Sequence, residues 1–323
     1  MYRRPRRRAA LVIALSLLLA GCASAVAEQP AGNSGSAAPT RSEAPPTVSA
    51  TPVLDSANDK PLPLDGYLLA PDQLLTVEKA QARLISGCMA RFGFDYTPPA
   101  PALPGRDSDA PTTRIDGRYG RQSAALLAKW GYHPEGGAPA AADSQTQPPM
   151  SPAMTVAARG TSDPKQRFGP GGQTVNGLKV PDHGCVGEAA VRLTGSVDGQ
   201  LGDAKTASDL KFGTLEAARV DPRTQAVFAK WSQCMRAAGL DYADPLAAMS
   251  DKEWSRTPLP TPHELQVATA DAGCRHRENV VGVWYAVDAA YQQQAIAEHA
   301  PAMADAKAAL AAQLKAATQA LAG

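Results

Sequence analysis

The chain has 323 residues, 44% of them hydrophobic but only 5% aromatic, with 28 prolines, 27 glycines and a formal charge of +1. So little aromatic bulk beside so many chain breakers leaves one or two small, helix-rich cores, with much of the remainder in tether or loop. A near-neutral balance argues against nucleic acid as a partner, because phosphate binding needs clustered cations.

The first element is the N-terminus. Met1-Tyr2-Arg3-Arg4-Pro5-Arg6-Arg7-Arg8 is basic, Ala9 to Leu19 is apolar, and Leu19-Ala20-Gly21-Cys22 closes the run. A stretch that short does not span a bilayer as a helix, and basic, apolar and small-residue regions in this order are the grammar of a signal peptide. The segment resembles a bacterial lipoprotein signal peptide, with Leu19, Ala20 and Gly21 as the lipobox before Cys22. The resemblance implies that residues 1–21 are removed and that Cys22 receives a diacylglycerol thioether as the mature N-terminus. The expected address is then the extracytoplasmic face of the cell membrane, with the membrane itself a partner through the lipid. A secretory signal with a chance cysteine, or a stop-transfer anchor, is the alternative. Arg3-Arg4 lacks the flanking pattern of twin-arginine export, so the general secretory route is expected. Cleavage removes five arginines and no acid, which turns +1 into −4 and leaves no basic patch.

Residues 22–66, the lipidated cysteine and a stretch rich in Ser, Ala, Pro, Thr and Gly, show no hydrophobic period and read as a flexible tether. A helix follows in which Leu74, Val77, Leu84, Ile85, Cys88, Met89 and Phe92 keep three-and-four spacing. Its end, Cys88-Met89-Ala90-Arg91-Phe92-Gly93-Phe94-Asp95-Tyr96, recurs as Cys234-Met235-Arg236-Ala237-Ala238-Gly239-Leu240-Asp241-Tyr242. Asp-x-Gly-Cys also recurs, at Asp182 to Cys185 and Asp271 to Cys274, so the chain reads as two copies of one unit. Gly93 and Gly239 suit the left-handed position after a helix, with Phe94 and Leu240 folding back on the last turn. For the two Asp-Tyr pairs, local packing is expected, with the aspartate bonding nearby amides.

Between the copies lies a Pro- and Gly-rich insertion, expected to be mostly disordered. Arg118-Tyr119-Gly120 interrupts it, as does a short helix near Ala124 to Tyr132 with Leu126, Leu127 and Trp130, ended by Gly131-Tyr132-His133-Pro134. In the second copy Asp221 caps a helix with Pro222 at its first position, and Val227, Trp231, Cys234, Met235 and Ala238 form its apolar face. Thr261 and Glu264 form a capping box, and Val267, Ala270, Cys274, Val281, Trp284, Val287 and Tyr291 extend one long stripe, weakened at Arg277 and Glu278. Beyond Pro301, Met303, Ala306, Leu310, Leu314, Ala317 and Leu321 make a terminal helix that packs on its own domain. The divisions are 1–21 signal peptide, 22–66 tether, 67–196 first helical repeat with its insertion, 197–221 connector, and 222–323 second repeat with the C-terminal helix. The fold class is mainly α, two disulfide-stapled helical hairpins.

Cys88, Cys185, Cys234 and Cys274 remain after lipidation, and in an exported chain two bridges are expected. Three connectivities are open, and repeat symmetry favours Cys88 with Cys185 and Cys234 with Cys274. The competing use is metal, because His183 and His276 sit two residues from Cys185 and Cys274, but their spacings are mirrored and no Cys-x-x-Cys supports zinc. No catalytic motif of the hydrolase, metalloprotease or phosphate-loop kind occurs, so no catalytic residue, metal or cofactor is assigned.

Trp231-x-x-Cys234-Met235 with Gly239-x-x-Tyr242, then Ala270-Asp271-x-x-Cys274, Val283-Trp284-Tyr285-Ala286-Val287 and Ala290-Tyr291-Gln292, look like uncharacterised lipoproteins of actinobacteria. The resemblance covers chiefly residues 222–300 and is weaker in the first unit, where Ile85 stands in place of the tryptophan. Similar proteins are often encoded near ABC exporter genes. The expectation is a non-enzymatic, lipid-anchored interaction or accessory module of an ABC-type membrane transport complex. The competing reading is an extracytoplasmic ligand-binding protein or a cell-wall-acting enzyme.

Overall fold

The computed structural model describes residues 44–99, 117–137 and 150–323. It is mainly helical: α1 (Pro71–Arg91), α2 (Ala124–Trp130), α3 (Pro152–Arg159), α4 (Gly184–Thr194), α5 (Lys205–Val220), α6 (Pro222–Ala237), α7 (Pro245–Met249), α8 (Pro262–Glu278), α9 (Val280–Glu298) and α10 (Ala300–Ala322). A two-residue antiparallel ribbon, β1 (Thr174–Val175) with β2 (Leu178–Lys179), precedes α4. No helix among the described residues is long and apolar enough to cross a membrane.

The recurring sequence builds the same local structure twice. Gly93 and Gly239 both take φ of +78°, and in each copy the residue after the glycine donates back to the methionine carbonyl, Phe94 to Met89 and Leu240 to Met235, at 3.0 Å. This is the paired-bond helix stop that left-handed glycine permits. Val77, Ile85, Cys88, Met89 and Phe92 are buried along α1, and Val227, Trp231, Cys234 and Met235 along α6, while Ala238 is exposed. Asp221 caps α6 by accepting from the Arg223 amide at 2.9 Å.

Asp-x-Gly-Cys, by contrast, is not one structural unit. Cys185 is the second residue of α4, so the rest of that helix follows it, whereas Cys274 lies just before the last turn of α8, so most of that helix precedes it. Asp182 is exposed in the loop before α4, while Asp271 is fully buried inside α8. The bonds join Cys88 to Cys185 (Cα–Cα 5.5 Å) and Cys234 to Cys274 (5.8 Å), closing separations of 97 and 40 residues. Such closures contribute about 4 to 5 kcal/mol each in the chain-entropy account.

Nor do the two copies fold apart. α10, expected to pack on its own domain, instead leaves the second copy and packs along α1 and α4 of the first, burying Leu310 and Ala317, while Met303 is buried against Leu64, Leu68 and Ala207. The stripe expected to continue into α9, weakened at Arg277 and Glu278, is divided between two helices at Asn279, which is left-handed (φ +54°) and ends α8. Its side chain accepts from the Leu54 amide at 3.0 Å and donates to the Pro52 carbonyl at 2.9 Å, so a residue from far upstream fixes the break.

Two further expectations, the tether and the insertion, are corrected, and the connector gains an element. The end of the tether, from residue 44, is an extended strap across the second copy: Pro52, Leu54 and Ser56 turn inward, Ala57, Leu62 and Leu64 are buried, and the Pro46 carbonyl accepts from Arg223. Extended chain needs no helical period to bury single apolar residues, so the periodicity test does not see it. The helix expected near 124–132 is present as α2, but the described remainder of the insertion, 150–181, is not disordered: it forms α3 and the β1–β2 ribbon, with Ala157 fully buried. The connector contains the 16-residue helix α5, whose inward face of Ala207, Thr214 and Ala218 is too weakly apolar to stand out.

Gly282 is where the strap crosses α9, and a Cβ there would collide with the Pro52 carbonyl. Gly282→Ala is expected to lift residues 50–57 and speed limited proteolysis within them several-fold while α-helical circular dichroism stays near wild type.

Candidate functional site: a buried polar seam

Residues 117–137 of the insertion dock against α8 and α9 through side chains that interiors rarely accept. Glu264 and Asp271 on α8 and Asp288 on α9 are all fully buried. A buried carboxylate is costly unless it is both paired and hydrogen-bonded.

Asp288 has the densest set of donors. Arg118 grips it with two bonds, Nε to Oδ2 at 2.5 Å and Nη2 to Oδ1 at 2.9 Å, and Tyr119 donates its hydroxyl to Oδ2 at 2.7 Å. Gln292, one turn along α9, donates to Oδ1 at 3.1 Å and accepts the Leu64 amide at 3.0 Å. Arg118 also reaches the Lys211 carbonyl at 2.7 Å, tying α5 to the same point. Burial opposes the Arg118 charge, but Asp288 outweighs it and holds the guanidinium above its ordinary pKa. Burial first, and Asp288 next, push the Tyr119 phenol far up, so it remains a donor.

Asp271 is the second anchor. Its Oδ1 accepts from Trp231 Nε1 at 2.9 Å and Arg275 Nε at 2.7 Å, and its Oδ2 from the Tyr132 hydroxyl at 3.0 Å. Arg275 also donates to the Tyr119 carbonyl at 2.8 Å, which links the first two anchors.

Glu264 is the third. Thr261 caps α8 by accepting the Glu264 amide at 3.1 Å, but the carboxylate does not close the expected box. Instead Oε1 accepts the amides of Tyr132 (2.8 Å) and His133 (3.2 Å) and meets His133 Nδ1 at 2.8 Å. Gly131 makes this approach feasible: it ends α2 at φ +55°, and a Cβ there would sit 2.6 Å from Oε1. The other nitrogen, His133 Nε2, faces the Thr257 carbonyl at 2.8 Å. Both ring nitrogens thus meet acceptors, an arrangement that only the imidazolium satisfies. Burial alone would lower the His133 pKa, but the Thr257 carbonyl and Glu264 together raise it, against a smaller opposing effect of Arg121.

Each carboxylate is engaged by donors of the chain itself, so the arrangement is a clamp that holds residues 117–137 in the core. Of the residues singled out beforehand, Cys88, Cys185, Cys234 and Cys274 are brought together in pairs, and the Cys185 and Cys274 sulfurs available to a mixed His/Cys ligand set are spent in bridges. Leu19, Ala20, Gly21 and Cys22 lie outside the described residues. Tyr242 packs at the core edge and donates to Asp251 at 3.1 Å, while Asp241 faces Arg236 instead of nearby amides. The seam carboxylates were not singled out as a site. Asp288 had a visible signal, as the one acid within the apolar run Val280 to Ala290. No protein-family model matches the chain, and neither the curated proteins nor the solved structures include a match.

Asp288→Ala leaves Arg118 charged and unpaired in the core, and is expected to cost about 3 to 5 kcal/mol in urea unfolding. The raised His133 pKa gives stabilisation that is complete below the unfolded value of about 6.5 and is lost as pH climbs through the folded value. Unfolding midpoints of the wild type should therefore fall as pH rises from neutrality through that range, and His133→Gln should flatten the profile.

Proposed function

We propose that the protein is a lipid-anchored, non-enzymatic module on the extracytoplasmic face of the cell membrane, serving as an interaction or accessory component of an ABC-type transport complex. The observation that carries the reading is the pair of disulfides, which form and persist in oxidising compartments. They agree with an exported chain, and the Leu19-Ala20-Gly21-Cys22 sequence supplies the lipid attachment. Because the strap is already packed at Val48, the body starts within a few tens of residues of Cys22, which suits a partner close to the bilayer.

A surface for such a partner is available on α5. Phe212 and Val220 are exposed there, at 69% and 53%, and a mixed polar and apolar cleft of about 540 Å³ between α5 and α9 is lined by Asp209, Leu210, Ala217, Tyr291, Ala295 and Glu298. Exposed apolar side chains with polar groups near them are what protein-recognition surfaces present.

Crosslinked pull-down of the intact protein from native membranes, beside Cys22→Ser, tests the reading. Intact protein in the membrane fraction with transporter subunits attached, and Cys22→Ser released and without them, is the expected result. Membrane retention of Cys22→Ser contradicts lipid anchoring, and intact protein that recovers no protein partner contradicts the accessory role.

A further inference from the structure

Both disulfides lie within hydrophobic cores, Cys234 and Cys274 among Trp231, Met235 and Leu240, but different groups cover the two bonds. Cys88 and Cys185 are 1% and 0% exposed, in a core of Ile85, Met89, Phe92 and Val180. Cys234 and Cys274 are 7% and 4% exposed, and the Arg277 side chain, itself 61% exposed, lies across their bond. Its Nη2 touches the Cys234 sulfur and is 3.6 Å from that of Cys274. Glu278 contacts Arg277 Nε at 3.4 Å and steadies the guanidinium there.

A cation against a disulfide favours the state in which a sulfur leaves as thiolate, which makes the bond easier to reduce. Two helix ends act the other way. Cys234 lies in the last turn of α6 and Cys274 just before the last turn of α8, where carbonyl dipoles disfavour a thiolate, whereas Cys185 lies in the first turn of α4. Terminal dipoles contribute about 0.3 to 1 kcal/mol at exposed sites. The Arg277 guanidinium, in contact with the Cys234 sulfur, sets a full charge against those partial ones, and the complete burial of Cys185 denies it both water and a nucleophile.

The neighbourhoods also differ in what survives opening. One turn before Cys234 and Cys274, buried Trp231 donates to buried Asp271, so α6 and α8 stay pinned without the bridge. One turn after Cys88 and Cys185, the corresponding pair is Arg91 with Glu188, on the surface, where an ion pair is worth little.

We infer that Cys234–Cys274 is a thiol–disulfide exchange site, open to a dithiol reductant of the oxidoreductase class, with Arg277 holding the thiolate that leaves, while Cys88–Cys185 is a fixed staple. A reductant thiolate attacks one sulfur and forms a mixed disulfide, and the electron pair of the broken S–S bond leaves on the other cysteine beside Arg277. The second thiolate of the reductant resolves the mixed disulfide, releasing the other cysteine. Two electrons pass to the protein, the reductant departs as its disulfide, and the two cysteines take up protons as pH dictates.

The test equilibrates the full chain in dithiothreitol buffers of graded ratio, alkylates free thiols and quantifies all four cysteines by mass spectrometry. Cys234 and Cys274 should become labelled together at about tenfold weaker reducing ratio than Cys88 and Cys185, with the helical signal retained. In buffer at about pH 9, above the ordinary thiol pKa of about 8.5, one unit of thiolate pKa corresponds to nearly a factor of ten, so there Arg277→Gln should shift the Cys234–Cys274 midpoint by about three- to tenfold toward stronger reductant, and Arg277→Lys by less than about twofold. Cys88 and Cys185 should not move in either variant. Simultaneous reduction of both pairs, earlier reduction of Cys88–Cys185, or an Arg277→Gln midpoint equal to wild type would overturn the proposal.

Discussion

The Asp288 carboxylate is the constraint on which the arrangement of the chain depends. It is fully buried on α9, and four separate stretches meet there: Leu64 through Gln292, Arg118 and Tyr119 directly, Lys211 through Arg118, and α9 itself. A buried anion cannot be left unpaired without a penalty of several kcal/mol. Closing the core around α9 therefore requires the insertion, the strap end and α5 to arrive together. Hydrophobic contact alone would tolerate alternatives, since Tyr119 lies against Trp284 with ring centres 5.2 Å apart in a contact that has no fixed register. The two-pronged Arg118 grip adds the register.

Seen from that point, residues 117–137 of the insertion belong to the interior. Arg118 and Tyr119 feed Asp288, Tyr132 and His133 feed Asp271 and Glu264, and α2 spans the distance between them, with Leu127 buried. Trp231 makes the same network continuous with α6, so the bond between Cys234 and Cys274 and the polar seam share one neighbour, Asp271, a single turn from the sulfur. The helical body is thus held by two kinds of long-range closure, covalent and ionic.

Much of the fold was legible in the sequence where the signal is local. The apolar faces of α1, α6 and α10, the glycine stops at Gly93 and Gly239, the Asp221 cap and the short helix ended by Gly131 all follow from spacing and backbone conformation within a few residues. The bonds present are also the ones that repeat symmetry favours. What could not be read was set by distant partners. Asn279 breaks a helix because Pro52 and Leu54 occupy its side chain, and Glu264 leaves its capping box because Gly131 brings two amides and an imidazole to it. Asp182 and Asp271 share a motif, yet one lies in a loop and the other inside a helix. The glycine stop after Cys-Met builds the same turn twice, whereas Asp-x-Gly-Cys takes whichever local structure its partners impose.

Residues 117–137 are part of the core, held by buried carboxylates. Native-state hydrogen exchange on the wild-type protein tests this directly, read at the amides of Tyr132 and His133, which donate to Glu264, against amides within α9. Protection at Tyr132 and His133 within about tenfold of α9 is the predicted result, since both should open only with the body. Exchange at those amides near the rate of an unfolded chain, with α9 still protected, would contradict it.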